Sequence, residues 1–310
     1  MPDTLLTGRL TDWEDEIFRQ GVNEKYRLSA TGGSEKTQFF TAISHQNTEG
    51  IQLGTYMKRT NMRANITHHA NDRINFGVKV QGAYVDQSDQ FDGLAYGNPF
   101  WAASSLLPWH NVYTEDGDYN TNLPSNNNAN PVLYNDLNDR WNKQYKYSSN
   151  LFAEIELIDN LKFKTVNNID FLTNESRDYR HPRSLEGQDV NGVLYSGMNK
   201  KLALTTSNTL SYDNVFNDLH TVGALVGFEA TQSDYLWYSL SGEGTGELLP
   251  FISNVSANKD VDYYDRTWSM LSYFGRLNYN FDDRYVMSAS LRTDGSSRFG
   301  KNNRYATFWS

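Results

Sequence analysis

From residue 25 onward, apolar and polar side chains alternate in runs that predict about ten long strands. The runs fall at roughly 25–31, 37–46, 58–68, 73–87, 143–157, 160–173, 200–213, 219–233, 267–281 and 284–294, and an eleventh begins near Tyr305. The clearest pair meets at Asp282-Asp283. Before that turn Tyr273, Gly275, Leu277, Tyr279 and Phe281 share one face, opposite Ser272, Arg276, Asn278 and Asn280. After it Tyr285, Met287, Ala289 and Leu291 oppose Ser288, Ser290 and Arg292. A short polar turn between two such runs predicts a hairpin. Ordinary strands average about 5–6 residues, whereas a tilted strand needs about 9–11 to cross a bilayer. These runs are of the second kind.

The connections differ in length. Short ones fall at 32–36, 70–72, 158–160, 214–218 and 282–283; long ones at about 47–57, 88–142, 174–199, 234–266 and 295–304. Short turns at one end and long loops at the other are the asymmetry of outer-membrane barrels, whose long loops are extracellular. Mid-strand charges keep to the polar parity: Lys79, Lys146, Glu154, Glu156, Lys162, Lys164, Asp170, Lys201 and Glu229. A cation on the lipid face at the midplane costs about 2–4 kcal/mol, while a wet lumen tolerates it. A soluble sandwich would alternate too; strand length and parity together favour the membrane. Tyr279, Phe281 and Tyr285 beside the short turn, and Tyr84 and Tyr147 near the long loops, suit two interfacial belts. The expected fold is all-β: a partial antiparallel up-and-down transmembrane β-barrel, about ten to eleven strands of a larger one.

Residues 1–24 do not alternate. Trp13, Ile17 and Phe18 fall at helical spacing behind Thr11-Asp12, a candidate N-cap, and predict a linker or short helix. The partial barrel then occupies 25–310.

Composition sharpens the picture. The 310 residues are 38% hydrophobic, yet Phe, Trp and Tyr reach 14%, the mixture that polar lumens and aromatic girdles give. A mean hydropathy of −0.67 and no apolar run near 18 residues exclude a spanning helix but not a barrel. The net charge of −9 argues against nucleic acid. Without cysteine there are no disulfides or thiolate metal sites. Met1-Pro2-Asp3 opens no signal peptide; since an outer-membrane protein needs one, the barrel reading implies a fragment of a longer precursor.

Two stretches carry a family resemblance. Residues 291–310, with Arg292-Thr-Asp-Gly-Ser-Ser-Arg-Phe-Gly300 followed by Asn303-Arg304-Tyr305, are similar to a signature of SusC/RagA-type TonB-dependent outer-membrane transporters. Thr11-Asp-Trp-Glu-Asp-Glu-Ile-Phe-Arg19 and Leu28-Ser-Ala-Thr-Gly-Gly-Ser-Glu-Lys36 resemble the family in the same order. The resemblance implies import of oligosaccharides or peptides through a large barrel with an internal plug, energised by TonB and capped by a SusD-like surface lipoprotein. On that pattern residues 1–24 would mark a plug–barrel junction. Set against that pattern, the sequence is expected to lack the family's TonB box, plug and at least half its strands.

The loop at 88–142 is the most unusual segment. It holds Phe91, Tyr96, Phe100, Trp101, Trp109, Tyr113, Tyr119, Tyr134 and Trp141 among many Asn and Asp. Aromatic faces beside amides and carboxylates suit sugar rings or a partner protein, and Trp101, Trp109, Tyr113 and Trp141 are the binding candidates. The plainer reading is packing of the loop onto the barrel rim. Asp116-Gly117-Asp118 and the spaced Asp86, Asp89 and Asp92 lack a calcium loop's spacing and read as solvated turns. The six histidines are scattered, and His68-His69 point to opposite faces. Glu154 and Glu156 share a face at a separation of about 7 Å, but no motif marks a catalytic site. Arg292 and Asp294 suit a pair fixing a turn at Asp294-Gly295. No enzyme activity, cofactor or metal is expected; the partners expected are lipid, the oligomeric substrate, TonB and the capping lipoprotein. The alternatives are a small complete passive barrel and a soluble carbohydrate-binding β-sandwich.

Overall fold

Backbone pairing dominates this molecule. The computed structural model describes residues 10–88 and 98–310, and its eleven strands form one antiparallel sheet in chain order. They are β1 (Val22–Gly33), β2 (Thr37–Glu49), β3 (Tyr56–Asn71), β4 (Ile74–Ser88), β5 (Asp139–Ile158), β6 (Leu161–Arg180), β7 (Val193–Phe216), β8 (His220–Glu243), β9 (Ala257–Phe281), β10 (Tyr285–Ser296) and β11 (Tyr305–Trp309). The sheet is not closed, because β1 and β11 each keep one unpaired edge. It is a section of barrel wall. Three short helices lie at the long-connection end: α1 (Trp13–Ile17), α2 (Pro99–Ser105) and α3 (Pro131–Leu137).

Several boundaries differ from expectation. β5 to β9 run 20, 20, 24, 24 and 25 residues. The loops expected at 174–199 and 234–266 therefore shrink to 181–192 and 244–256, and Trp141 lies inside β5 instead of a loop. The physical reason is that alternation marks only the part of a strand with lipid on one side. Above the bilayer both faces meet water, so the ladder continues without a period-two signal. Asp294 and Gly295 are likewise not a turn: they pair with Ala306 and Tyr305 inside β10, and the chain reverses only afterwards. Gly295 fits there because a Cβ would stand 2.3 Å from the Tyr305 ring.

The short turns follow the residues that tolerate left-handed backbone. Asp282 and Asp283 sit at φ 51 and 51, Asn217 and Asp218 at φ 50 and 54, the type I′ geometry that suits the twist of a hairpin. The Arg284 amide donates to the Phe281 carbonyl at 3.0 Å and closes the first.

The two faces of the sheet are chemically distinct. On one, apolar side chains stand in the open with no second layer against them: Leu28 is 74% exposed, Met287 70% and Val226 59%. A soluble sandwich would bury this stripe, so that alternative is excluded. The other face carries the charges, with Lys164 Nζ 3.3 Å from Glu154 and Arg292 held by Asp294 at 2.7 Å and Glu229 at 3.3 Å.

Register gives the strand tilt. One paired row runs Phe39, Ile66, Val78, Leu151, Asn167, Thr206, Ala230, Leu271, Gly295. It starts about four residues from the β1–β2 turn and ends about twelve from the β9–β10 turn, eight strands on, so the short turns step by about one residue per strand. A step of ~3.3 Å along the strand against ~4.8 Å between strands is a tilt of roughly 35°, the inclination of membrane barrels. At that tilt the apolar stretch of β4 from Ile74 to Tyr84 stands about 27 Å tall, close to the ~25 Å band that lipid requires. Aromatic rings mark both margins. His220 and Phe281 lie 5.0 Å apart at the short-turn end, Tyr84 and Tyr145 4.9 Å apart towards the loops.

The stripe is interrupted on β6 and β7, where Thr165 faces Asn208 and Asn167 faces Thr206. Each Asn amide donates to the Thr hydroxyl two residues away at 3.2 Å, so part of its hydrogen-bonding need is met within the wall.

Neighbours on opposite faces provide a test. Leu277→Arg puts a cation against lipid and is expected to cost about 2–4 kcal/mol of folding stability in phospholipid vesicles, whereas Asn278→Arg costs less than about 1 kcal/mol. Urea titration of the refolded protein measures both, and equal costs would contradict the face assignment.

Candidate functional site

Most of the described core lies outside the sheet, in a cluster at the long-connection end; the exception is a small knot of Tyr179 on β6, Leu194 on β7 and Val255. Trp13 and Ile17 of α1 pack with Ala102 of α2, Leu106, Val112, Leu123 and Val132, while Ala129, Leu133 and Tyr134 form a second knot. Two Asn-Pro steps start its helices. Asn98 caps α2 ahead of Pro99, and Asn130 caps α3 ahead of Pro131, the cap and first-turn residues that helices favour. Asn130 also ties the loop together. Its amide donates to the Val112 and Asn120 carbonyls at 2.8 and 3.1 Å, and its oxygen accepts from the Val132 and Leu133 amides at 3.0 and 3.3 Å. Over 98–138 the segment expected as a long loop is thus a small folded unit.

Neighbouring connections dock onto it. Gly54, at φ 74, passes so close to α3 that a Cβ would stand 1.9 Å from Asn135 Oδ1. The Trp13 indole donates to the Leu107 carbonyl at 3.3 Å and the Thr11 amide to the Pro108 carbonyl at 2.7 Å. Arg183, from the β6–β7 connection, pairs with Asp118 and lies 5.6 Å from the Tyr119 ring centroid. That hydrogen bond holds the Asp118 carboxyl below its usual range. The 244–256 connection folds onto β6, where the Tyr179 hydroxyl and Arg177 donate to the Gly246 and Pro250 carbonyls at 2.9 and 2.8 Å.

Three of the four aromatic candidates sit on this cluster with their rings in the open. Trp101 lies on α2, Trp109 just beyond it, and Tyr113 in a tight hairpin around Gly117, its ring 5.4 Å from Tyr119; they are 42%, 52% and 46% exposed. Trp141 is not brought to them. It lies on β5, on the face of the apolar stripe and above it, with the Lys143 ammonium 4.3 Å from its ring. Phe91, Tyr96, Asp89 and Asp92 lie outside the described residues. Asp118 is engaged by Arg183, Glu154 by Lys164, and Glu156 accepts from the Asn160 amide at 3.0 Å, so these carboxylates have protein partners. Sequence reading missed Asn130 and Arg183 and did not select Tyr119 from the aromatics of the segment; the Asn-Pro steps were the available signal for the first.

Burial tunes the titratable groups of the cluster. The Tyr119 phenol is pushed up to about 12 by desolvation and its 2.8 Å hydrogen bond to Asp136. Desolvation also raises Glu186 and lowers His181, the latter against the opposing field of Glu247 and with that of Arg183. His181 Nδ1 accepts the Arg183 amide at 3.1 Å, an interaction that needs this nitrogen unprotonated.

Comparison with known proteins fits this geometry. No family model matches the chain. It is 25% identical over 314 residues to TonB-dependent receptor P3 of Formosa agariphila, covering 96% of this chain and 30% of that protein. It is 25% identical over 328 residues to TonB-dependent receptor SusC of Bacteroides thetaiotaomicron, covering 96% and 31%. The chain therefore spans about a third of the curated relatives it matches. Among solved structures, the RagAB peptide transporter superposes with a TM-score of 0.79 at 22% identity over 97% of this chain and 35% of that one. The ferric-catecholate receptor Fiu from E. coli gives 0.54 at 9% identity over 93% and 44%. These likenesses show the barrel fold.

Two outcomes follow from the cluster. Asn130→Ala removes a cap and two carbonyl donors from a buried site and is expected to destabilise the cluster by about 2–3 kcal/mol, seen as faster proteolytic cleavage within 98–138 while the barrel stays intact. Because the folded His181 binds its proton more weakly than the unfolded one, its contribution is complete above about pH 6.5 and is lost as pH falls through the lowered folded value. Cleavage near 181–192 is expected to accelerate between about pH 7 and pH 5, and His181→Gln to flatten that dependence.

Proposed function

We infer that this chain, part of a SusC-type TonB-dependent transporter, is wall and mouth of an importer in the outer membrane of a Gram-negative bacterium. The observation that carries the reading is the single sheet with an uncovered apolar stripe outward, charges on the opposite face and a tilt of roughly 35°. The charged face lines a wet path. The packed cluster stands at its outer end, where a ligand arrives first. In this reading α1 is a strut of the extracellular cluster, since Trp13 and Ile17 pack beside α2 at the loop end.

Oligosaccharides or peptides are the substrates that suit the mouth. Trp101, Trp109 and Tyr113 present apolar ring faces, and the Asn and Asp around them supply hydrogen bonds. The same rim is the seat for a SusD-like lipoprotein. TonB acts through a plug, a part this chain does not supply, and the wall contributes passage without chemistry. Trp141 and Lys143 face outward at the upper membrane margin and are assigned to lipid headgroups rather than substrate.

Deleting the gene is expected to slow growth on one class of oligosaccharide or peptide and to spare growth on its monomers. Replacing Trp101, Trp109 and Tyr113 together by Ala should weaken uptake of that oligomer about tenfold, or ~1.4 kcal/mol, at unchanged protein level in the outer membrane. Recovery of the wild-type protein in a membrane-free fraction, or unaltered growth of the deletion strain on every oligomer, would overturn the reading.

A further inference from the structure

Charges on the lumen face are distributed unevenly. On β5 to β10 this face holds built ion pairs, Lys164 with Glu154 and Arg292 with Glu229 and Asp294, although Lys162, Lys201 and Arg276 make none among the described residues. On β1 to β4 the same face carries Lys25, Arg27, Arg59, Arg63 and Lys79, and Lys146 adjoins them on β5. Among the described residues none of these six lies within ion-pair distance of a carboxylate, and all six are exposed. The nearest acid on that face is Asp170, one strand further on, and it accepts from the Ser148 hydroxyl at 2.6 Å.

Register shows how concentrated they are. Lys25 and Arg59 share one row through Gln46, and Arg27 and Lys146 share another through Ser44, Asn61 and Ala83. Arg63 lies one row below on that face, level with Gln81, and Lys79 the next row down, level with Asn65. Six cations thus fall within about 20 Å along the strands and about 19 Å across them. The positions between them are neutral: Gln46, Asn61, Asn65, Gln81 and Gln144 offer amides. Asn65 Oδ1 is buried and accepts no hydrogen bond from the protein. In a chain of net charge −9, these six cations have no carboxylate to offset their mutual repulsion, and the wall gives Arg59 only a neutral partner, the Asn61 amide oxygen at 3.0 Å. Exposed as they are, they stay hydrated, and their summed field draws an anion into this part of the lumen.

We propose that this cationic window on β1–β5 binds the carboxylate or sulfate groups of an anionic oligosaccharide on its way through the lumen. The proposal rests on the importer reading above and narrows its substrate class. The window occupies the middle and upper wall, below the mouth where Trp101, Trp109 and Tyr113 present ring faces. A sugar chain offers rings to the aromatics, anionic groups to the cations and hydroxyls to the lumen-face amides of Gln81 and Gln144. Attraction spread over several exposed cations holds a polyanion without fixing it at one point, as passage requires.

The test uses the whole transporter purified from membranes in detergent, with tetragalacturonate, maltotetraose and tetraglutamate as probes in titration calorimetry. At about 50 mM salt tetragalacturonate is expected to bind at least about tenfold more tightly than maltotetraose, and the preference to shrink below about threefold near 500 mM as screening shortens. Arg59→Gln, Arg63→Gln and Lys79→Gln combined should abolish the preference and leave maltotetraose binding unchanged, while the corresponding Lys variant at 59 and 63 retains it. Equal affinity for the charged and neutral sugars overturns the window and leaves the importer reading standing. Tetraglutamate binding as tightly as the uronate overturns the saccharide assignment. A triple variant that changes melting temperature but not uronate affinity shows the window neutralised by the protein itself, which also overturns the proposal. Binding of none of the three probes sinks the window together with the importer reading of these sugars and peptides.

Discussion

In the hydrocarbon of a bilayer a peptide group has no water to bond, and every amide and carbonyl must find its partner within the protein. The sheet obeys that demand from β1 to β11, each strand donating to the next in sequence. The pairing fixes everything else. It sets which side chains share a face and how far the short turns step from strand to strand. It also explains why the two outer edges, on β1 and β11, require neighbouring strands before the wall can sit in lipid.

Once pairing is settled, solvent sorts the side chains. The stripe of Leu28, Met62, Val226 and Met287 is stable in the open only where the surroundings are themselves apolar. Charge follows the opposite logic and gathers where water is, in built pairs such as Arg292–Glu229 on one sector and without carboxylate partners on another. The Thr165, Asn167, Thr206 and Asn208 patch shows how much polarity the stripe accepts. Neutral groups that bond one another are tolerated there, and charges are absent.

Much of this was legible in the sequence because lipid on one side and water on the other imprint a period of two. The strands, their order and the two faces follow from that imprint. Where both faces are wet the imprint fades, and the upper ends of β5 to β9, from four residues of β5 to ten of β8 and β9, were read as loops for that reason. Asp294-Gly295 misled differently: the dipeptide favours turns, but here Gly295 makes room for the Tyr305 ring inside a strand. The cluster was legible only as an aromatic-rich segment. Its fold depends on Asn130 reaching Val112 and on Trp13 reaching Leu107, partners 18 and 94 residues apart in sequence, which no local pattern announces.

The long strands have a consequence for what the mouth senses. On β9 the thirteen residues from Ser269 up to Ala257 rise beyond the apolar stripe, and at the tilt of the wall they form a palisade roughly 30 Å high. Physiological salt screens charge over about 8 Å. The palisade's tip is therefore several screening lengths from the phosphate layer, and a negatively charged solute nearing it escapes the repulsion of the cell surface before it meets the protein.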